Sequence, residues 1–316
     1  MRFRTLVVST ALASLALIGF TGIRIASRTK QALVSHPPLG RILGAPNERI
    51  HALVMGSGPD LVLIHGANGN LRDFTLGFAE RLSSRYRVIA VDRPGLGHSE
   101  PLRDGQTSVH SQARQIRAAL SEIGVQHPIV LGQSYGGAVA LAWALKERPA
   151  ALVLVSAASM PWPGSLDPWY RLTAGPLGRH LLVSLASAFA PQSYMRRAVA
   201  SVFTPQSAPE NYLNHLGTNL TLRYGSLSST VKQINGLHAE VMEMTSQYPS
   251  LELPVELIHG NADTIVPLSV HAEPLAKLLP NANLTVLENA GHMPHHTHVD
   301  EVVKAIDRAA LRAGLR

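Results

Sequence analysis

Short apolar segments alternate with helical patterns along most of this 316-residue chain. Several of the segments are continuous apolar runs, such as LVLIH, VIAVD and IVLG. Such runs are typical of parallel strands that are buried on both faces. The predicted strands lie at residues 50–55, 61–65, 87–92, 128–133, 151–156, 255–259 and 283–288. Because helices separate these strands, the sequence predicts an α/β fold with a doubly wound, mostly parallel sheet.

Two helices are well defined by the spacing of their apolar residues. One has apolar residues at positions 109, 113, 116, 120 and 123, and Gly124 follows where a helix C-cap belongs. The other has them at positions 299, 302, 303, 306 and 310. In this second segment Asp300 and Glu301 come early, whereas Arg308 and Arg312 come late, which suits the helix dipole.

The region from residue 157 to residue 247 interrupts this alternation. It has helical patterns, but seven prolines break them, and it lies between the predicted strands at residues 151–156 and 255–259. We therefore expect a helical cap at residues 157–247 that is inserted into a core formed by residues 49–156 and 248–316.

The N-terminal segment has a long stretch without charge. Residues 5–23 are uncharged, with basic residues on both sides. Their length is close to the roughly 20 apolar residues that a membrane-spanning helix needs. A signal peptide has a shorter apolar core, of about 7–15 residues, and a cleavage site with small residues.

The length of this stretch favours an uncleaved membrane anchor at residues 1–30. The segment from residue 31 to residue 48 is rich in proline and glycine and is interpreted as a linker. The predicted location is therefore at a membrane, held by a single N-terminal helix. Export after signal cleavage is the alternative.

Charge and cysteine content exclude several classes of function. The formal net charge is +7, but five basic residues and no acid lie in the first thirty positions. The remaining chain has 23 basic and 21 acidic residues, whereas a nucleic-acid-binding domain would carry a basic face. No nucleic acid partner is expected. Since the chain has no cysteine, a disulfide framework, a cysteine-based zinc site and a cysteine nucleophile are excluded.

The strongest chemical signal is a G-x-S-x-G motif formed by Gly132, Ser134 and Gly136. The motif directly follows a predicted strand and directly precedes a helical pattern, and in this context it marks a nucleophilic serine. The serine must occupy a sharp turn, for which the two glycines leave room. The N-terminal dipole of the following helix favours the negative charge of a transition state. An ordinary Gly/Ser turn is the alternative.

A carboxylate and a histidine follow at suitable places. Asp263 comes a few residues after a buried strand and is expected at the rim of the sheet, and His292 follows the last predicted strand. We predict Ser134 as the nucleophile, His292 as the general base and Asp263 as the acid that orients the histidine. Asp167 is a distant second candidate for the acid.

These ordered motifs resemble those of the α/β-hydrolase fold family, in particular esterase- or lipase-like serine hydrolases with a helical cap. The resemblance runs from about residue 50 to the C-terminus and is weakest in the cap. The family pattern G-x-x-D-x-x-x-P is matched by Gly260, Asp263 and Pro267. The order serine, aspartate, histidine is also that of the family.

The resemblance further implies an oxyanion hole. A His-Gly pair, His65 and Gly66, follows the strand LVLI, where the family builds half of this hole. The implied donors are the backbone N–H groups of Ala67 and Tyr135. The turn at residues 92–99 is a structural feature near the site in relatives, and we assign it no catalytic role.

A serine nucleophile implies an acyl-enzyme that water then hydrolyses. The expected reaction is hydrolysis of a carboxylic ester. Apolar and aromatic residues in the cap suggest a small hydrophobic substrate with an apolar acyl or aromatic group. A thioesterase, an amidase and a carbon–carbon bond hydrolase are alternatives with the same triad, and a non-catalytic ligand-binding protein is a further one. No cofactor is implied, and the oligomeric state is left open.

Three more histidines, His295, His296 and His298, follow the predicted base. Four histidines within seven residues could suggest a metal site. Their spacing matches no recognised ligand pattern, and no cysteine or paired acid accompanies them. We therefore expect no metal and interpret these residues as a histidine-rich loop that leads into the last helix.

Overall fold

The computed structural model describes residues 2–103 and 107–316, and side chains from residue 14 onwards. Its strands are β1 (Arg41–Leu43), β2 (Ile50–Met55), β3 (Asp60–Ile64), β4 (Arg87–Val91), β5 (Ile129–Gln133), β6 (Ala151–Val155), β7 (Val255–Gly260) and β8 (Ala282–Leu287). They form one sheet in the order β1-β2-β4-β3-β5-β6-β7-β8. β2 pairs antiparallel with β1 and β4, and the other pairs are parallel. The predicted α/β fold with a mostly parallel sheet is confirmed.

Helices cover both faces of the sheet because alternate strand residues point to opposite sides. Val62 and Ile64 of β3 belong to one buried cluster, and Leu61 and Leu63 belong to the other. The first cluster contains α3 (Val109–Ser121), α4 (Tyr135–Lys146) and α12 (Ala272–Leu278). The second contains α2 (Phe78–Ser83) and α14 (Val299–Arg312), which follows the short helix α13 (Pro294–Thr297). α3 and α14 are the two helices that the apolar spacing predicts.

Between β6 and β7 the chain is mainly helical. Its α-helices are α5 (Pro168–Thr173), α6 (Pro176–Gly178), α7 (Ser184–Phe189), α8 (Gln192–Phe203), α9 (Tyr212–Leu216), α10 (Thr218–Thr221) and α11 (Tyr224–Thr245). A short π-helix, Arg179–Val183, joins α6 to α7. Most of these helices are short because proline or glycine interrupts the pattern between them. We refer to residues 157–247 as the cap.

The N-terminal helix α1 (Arg2–Ser35) continues without a break through the basic residues that the sequence analysis placed after a membrane span. Arg24 Nε donates to Ala188 O at 3.2 Å, and Arg28 Nη2 donates to Ala190 O at 3.0 Å. The Phe20 ring lies 6.1 Å from that of Phe189. The second half of α1 thus packs on the cap.

The predicted membrane anchor at residues 1–30, and the membrane location derived from it, are wrong. Within the described part of the chain, no helix combines the length and the apolar character needed to cross a membrane. Met1, the first residue of the predicted anchor, lies outside the described residues. The uncharged stretch was interpreted from its length alone, whereas the helix extends beyond it and binds the cap through its basic residues.

Candidate active site

Ser134 occupies the sharp turn between β5 and α4. Its backbone angles are φ 52° and ψ −119°, and a positive φ is uncommon for a residue other than glycine. The turn is held by hydrogen bonds from Ser134 N to Val155 O (3.0 Å) and from Gly137 N to Ser134 O (2.9 Å). A strained conformation of this kind persists only where the surrounding structure imposes it, and it is frequent at active sites.

The two motif glycines are required by close backbone contacts around this turn. A Cβ at Gly132 would lie 2.3 Å from Gly136 O, and a Cβ at Gly136 would lie 2.2 Å from Ile64 O. Both distances are far below van der Waals contact. The motif therefore brings the end of β3 directly against the first turn of α4.

His292 and Asp263 form a buried hydrogen-bonded pair. Their Nδ1 and Oδ2 atoms lie 2.7 Å apart, and both residues are 5% exposed. Asp263 Oδ1 accepts hydrogen bonds from Ile265 N and Val266 N, each at 2.9 Å. Since the carboxylate accepts from Nδ1, this nitrogen carries the proton, and Nε2 is left to act as a base.

A second histidine, which the sequence analysis did not identify, also contacts Asp263. His259 Nε2 lies 2.6 Å from Val266 O and 3.3 Å from Asp263 Oδ2. Burial by itself would raise the pKa of Asp263. The hydrogen bonds from His259, His292 and Val266 N outweigh burial and hold this pKa well below its usual range. Asp263 is therefore ionised at neutral pH.

The loop that carries His292 is attached to the residue before Ser134. Gln133 Nε2 donates to His292 O at 3.2 Å. The sharp turn at Ser134, which we call the elbow, and the histidine loop therefore meet at the carboxyl end of the parallel strands. Among the described residues, His292 is hydrogen-bonded to Asp263 but not to Ser134. In unliganded enzymes the bond between nucleophile and base often tightens only when substrate binds.

The loop after β3 lies beside the elbow. A Cβ at Gly66 would lie only 3.1 Å from Ser134 Cβ. Within the described chain, neither Ala67 N–H nor Tyr135 N–H donates to another protein group. Two free backbone donors next to the serine are what an oxyanion hole requires.

Arg93 is a buried residue of this site that the sequence analysis did not single out. Its side chain is fully buried and binds the loop after β3 through His65 O (2.9 Å) and Gly66 O (3.0 Å). It also donates to Gln112 Oε1 at 2.8 Å and to Gln233 Oε1 at 2.7 Å. Because Gln233 lies in α11, Arg93 joins the core to the cap.

His65 is a neutral structural histidine. Its Nε2 accepts a hydrogen bond from Arg93 N at 3.0 Å. The proton is therefore on Nδ1, which donates to Gly66 O at 2.8 Å. Burial lowers the pKa of His65 to about 4, so the ring stays uncharged at neutral pH.

The two histidines after the predicted base contact one carboxylate, Asp73, which the sequence analysis missed. His295 Nε2 lies 3.1 Å from Asp73 Oδ2, and His296 Nε2 lies 2.9 Å from Asp73 Oδ1. The hydroxyl of Tyr212, in α9 of the cap, donates to Asp73 Oδ1 at 2.6 Å. We call these four residues the Asp73 cluster. It links the segment after His292 to the cap.

The Asp73 cluster resembles a metal site in composition. The ligand atoms of its acid and two histidines lie within 4.8 Å of one another. However, its carboxylate already accepts three hydrogen bonds. His295 Nδ1 is buried without a partner among the described residues, whereas a metal-bound histidine usually donates its second N–H. These features favour a hydrogen-bonded cluster. The expectation of no metal stays a prediction, which metal analysis of the purified protein tests.

Replacing Asp73 by asparagine is expected to lower the free energy of unfolding at pH 7 by about 3 kcal/mol, since it breaks a buried charged network. Burial would raise the pKa of Asp73, but His295 and His296 hold it well below its usual range. The carboxylate therefore contributes stability above its unfolded pKa of about 4. This contribution is lost as the pH falls through the folded pKa.

Urea unfolding of the wild type and Asp73→Asn at pH 7 and at pH 3 checks this expectation. The difference in stability should be smaller at pH 3. Tyr212→Phe, which removes one hydrogen bond from the same carboxylate, serves as a control and should cost about 1 kcal/mol. A loss below 1 kcal/mol for Asp73→Asn at pH 7 would contradict the role of the cluster.

The profile of the alpha/beta hydrolase fold family matches residues 59–299, and this chain belongs to that family. The chain is 28% identical over 283 residues to a 2-hydroxymuconate semialdehyde hydrolase from Pseudomonas putida, covering 86% of this chain and 94% of the relative. It is 30% identical over 252 residues to a pimeloyl-[acyl-carrier protein] methyl ester esterase from Aeromonas hydrophila, covering 80% of this chain and 95% of the relative.

Solved structures show the same fold. An alpha/beta hydrolase fold protein from Burkholderia ambifaria superposes with a TM-score of 0.72 at 24% identity, over 85% of this chain and 98% of that one. An esterase from Thermogutta terrifontis gives a TM-score of 0.67 at 21% identity, over 84% and 94%. The resemblance to the α/β-hydrolase fold family is confirmed.

Proposed function

We propose that this chain is a serine hydrolase that cleaves carboxylic esters of small hydrophobic molecules. The observation that carries the proposal is the His292–Asp263 pair, which lies at the same edge of the sheet as the strained serine turn. Ser134, His292 and Asp263 are the proposed catalytic residues. The proposed oxyanion hole consists of the N–H groups of Ala67 and Tyr135.

In the first half of the proposed reaction, Ser134 Oγ attacks the carbonyl carbon of the ester. His292 Nε2 takes the serine proton, and Asp263 stabilises the imidazolium that forms. Negative charge develops on the former carbonyl oxygen, which Ala67 N–H and Tyr135 N–H stabilise. When the tetrahedral intermediate breaks down, the carbon–oxygen bond to the alcohol breaks and His292 gives its proton to the leaving alcohol.

In the second half, water hydrolyses the acyl-enzyme. His292 removes a proton from the water, whose oxygen attacks the acyl carbon. The bond to Ser134 Oγ then breaks, and the serine regains its proton from His292. The product is a carboxylic acid. This sequence needs no cofactor.

Contacts of the cap support a hydrophobic substrate. Tyr170 of α5 reaches the loop that carries Ala67, where its hydroxyl accepts a hydrogen bond from Asn68 Nδ2 at 3.1 Å. Met160 and Trp162 pack against the larger core cluster, and Trp162 lies edge-on to His238 with ring centroids 4.7 Å apart. Aromatic and apolar side chains of the cap thus lie against the loop after β3 and against the core, which supports the proposed substrate class.

Other apolar and aromatic residues of the cap have different surroundings. Phe203 and Tyr212 pack on each other with ring centroids 4.9 Å apart, while Leu172 and Phe189 are exposed at the surface. Only some of the apolar residues of the cap therefore support a preference for hydrophobic substrates.

A carbon–carbon bond hydrolase is the second candidate. The similarity to a 2-hydroxymuconate semialdehyde hydrolase favours it, and the similarity to a methyl ester esterase favours ester hydrolysis. Both reactions would use the same triad. A thioesterase is a further alternative, and so is a ligand-binding protein without activity.

The test is reaction of the wild-type protein with a fluorophosphonate. We expect one adduct by intact mass, and peptide mass spectrometry should assign it to Ser134. The candidate reactions are then separated by comparing rates of hydrolysis. The substrates are esters of graded acyl length, a matching thioester and a dienoic ketone whose carbon–carbon bond can be hydrolysed. A folded protein that forms no adduct and hydrolyses none of these compounds would contradict the proposed function.

A further inference from the structure

In the described part of the chain, the Arg93 side chain is a buried positive charge without a carboxylate partner. It is 0% exposed, and among the described residues no acid forms an ion pair with it. Burial lowers the pKa of Arg93 to about 10, so the group remains charged at neutral pH. A buried charge is costly unless it is well hydrogen-bonded. Its partners should therefore show what the charge does.

Two of these partners are the carbonyl groups of the loop beside Ser134. Arg93 Nε donates to His65 O, and Nη2 donates to Gly66 O at 3.0 Å. Gly66 O also accepts from His65 Nδ1 at 2.8 Å. The C=O of Gly66 and the N–H of Ala67 belong to the same peptide unit. The guanidinium thus acts on one end of the peptide whose other end is a proposed oxyanion donor.

The same guanidinium lies against the residue that supplies the other donor. Its central carbon is 4.2 Å from the centroid of the Tyr135 ring, which is within the range of a cation–π contact. The Tyr135 hydroxyl is in turn bonded by Gln112 Nε2 at 3.1 Å, and Gln112 Oε1 binds Arg93. One cation therefore contacts the peptide unit that contains Ala67 N–H and the side chain of Tyr135, the two residues of the proposed oxyanion hole.

We propose that Arg93 is a positioning residue, whose charge polarises the Gly66–Ala67 peptide and fixes its plane so that Ala67 N–H becomes a stronger oxyanion donor. The inference rests on the proposed function. Peptide resonance couples the oxygen and the N–H of one unit. Hydrogen bonds in a chain strengthen each other by about 10–30% per bond, and the effect of a charge is larger in a buried environment than in water.

The experiment compares the wild type with Arg93→Gln on p-nitrophenyl butyrate. Glutamine retains a donor but removes the charge. We expect kcat per active site to fall about 30-fold, less than the 10²–10³-fold that follows loss of a whole oxyanion donor. KM should change less than about threefold. Active sites are counted by fluorophosphonate labelling, so an unfolded fraction does not enter kcat.

A second measurement uses a trifluoromethyl ketone of the same acyl length, which forms a tetrahedral adduct with a catalytic serine. Its affinity should fall by the same factor as kcat/KM, because both depend on stabilisation of an oxyanion. A residue that only supports the fold would lower the melting temperature and the number of active sites. It would leave the inhibitor affinity of the remaining sites unchanged.

Gln233→Leu is the matched control. It removes a partner of the same guanidinium on the side away from the Gly66–Ala67 peptide. We expect a lower melting temperature and a kcat per active site within about threefold of the wild type. If Arg93→Gln does not fold, Arg93→Lys replaces it. A single ammonium cannot reproduce the forked geometry of a guanidinium, so kcat and inhibitor affinity should still fall together, about tenfold.

Two outcomes separate this inference from the proposed function. If the wild type is modified at Ser134 and hydrolyses the ester, but the Arg93 variant has unchanged kcat and inhibitor affinity, this inference alone is overturned. If the wild type is neither modified nor active, the proposed function is overturned and the inference with it.

Discussion

Ser134→Ala is expected to lower kcat by about 10⁶-fold, which is the scale seen when the nucleophile of a serine hydrolase triad is removed. The variant lacks the oxygen that would form the proposed acyl-enzyme. Alanine has one side-chain atom fewer, so the fold should be retained. The measurement is initial-rate kinetics on p-nitrophenyl butyrate, with circular dichroism to confirm the fold and a substrate analogue to measure binding.

The chain offers a matched control in Ser156. This serine also follows a central strand, also has a positive φ, of 46°, and is fully buried. Its Oγ has no hydrogen-bond partner among the described residues. Ser156→Ala should therefore change kcat less than about threefold. Equal losses in the two variants would indicate that the proposed nucleophile is wrong.

Asp263→Asn is expected to lower kcat about 10⁴-fold, as observed for the equivalent change in a Ser-His-Asp triad. The amide nitrogen of asparagine can donate to His292 Nδ1 and so favours the tautomer whose proton is on Nε2. A histidine in that tautomer cannot accept the proton of Ser134. Stability should also decrease, because the neutral amide lacks the charge that strengthens the hydrogen bonds which Oδ1 accepts from Ile265 N and Val266 N.

The control for this variant is another buried His–Asp pair, which lies outside the proposed triad. His51 Nδ1 lies 2.7 Å from Asp92 Oδ2, and both side chains are almost fully buried. Asp92→Asn should destabilise the fold by a similar amount but lower kcat per active site less than about tenfold. If both variants lose the same activity, the effect of Asp263→Asn is one of stability, and the proposed role of Asp263 is incorrect.

Much of the core was predictable because its strands are continuous apolar runs. The runs at residues 61–65, 87–92 and 128–133 each indicate a strand buried on both faces, without knowledge of the segments that pair with it. β1 was not predicted, since its three residues, of which only Leu43 is buried, are too short to show a pattern. The short helices of the cap have no clear period either, and only their location between two strands was predictable.

The proposed triad could be identified because each of its residues follows a strand within a local pattern. Arg93 and Asp73 lacked such a signal. The partners of Arg93 come from the loop after β3, from α3 and from the cap, and those of Asp73 come from the cap and from the segment after His292. Contacts between segments so far apart in the sequence leave no spacing to detect. A polar residue directly after a buried strand, as at Arg93, was the one available hint.

The N-terminal segment shows the opposite error. Its uncharged length had a simple local interpretation, but tertiary contacts decided its structure. Arg24 and Arg28, which looked like flanking charges of a span, bind carbonyl groups near the end of α7. An interpretation based only on the length of the uncharged stretch cannot take account of hydrogen-bond partners that lie about 160 residues further along the chain.

Asn68, the residue after the proposed donor Ala67, has a left-handed backbone with φ 56°. Its side chain binds Tyr170 and its carbonyl oxygen accepts from Thr221 Oγ1 at 2.9 Å, and both partners belong to the cap. Because the cap contacts this loop at two points, the position of the proposed donor Ala67 N–H depends on where the cap lies. Substitutions in the cap at Tyr170 or Thr221 would therefore alter the proposed oxyanion hole without touching Ser134, His292 or Asp263.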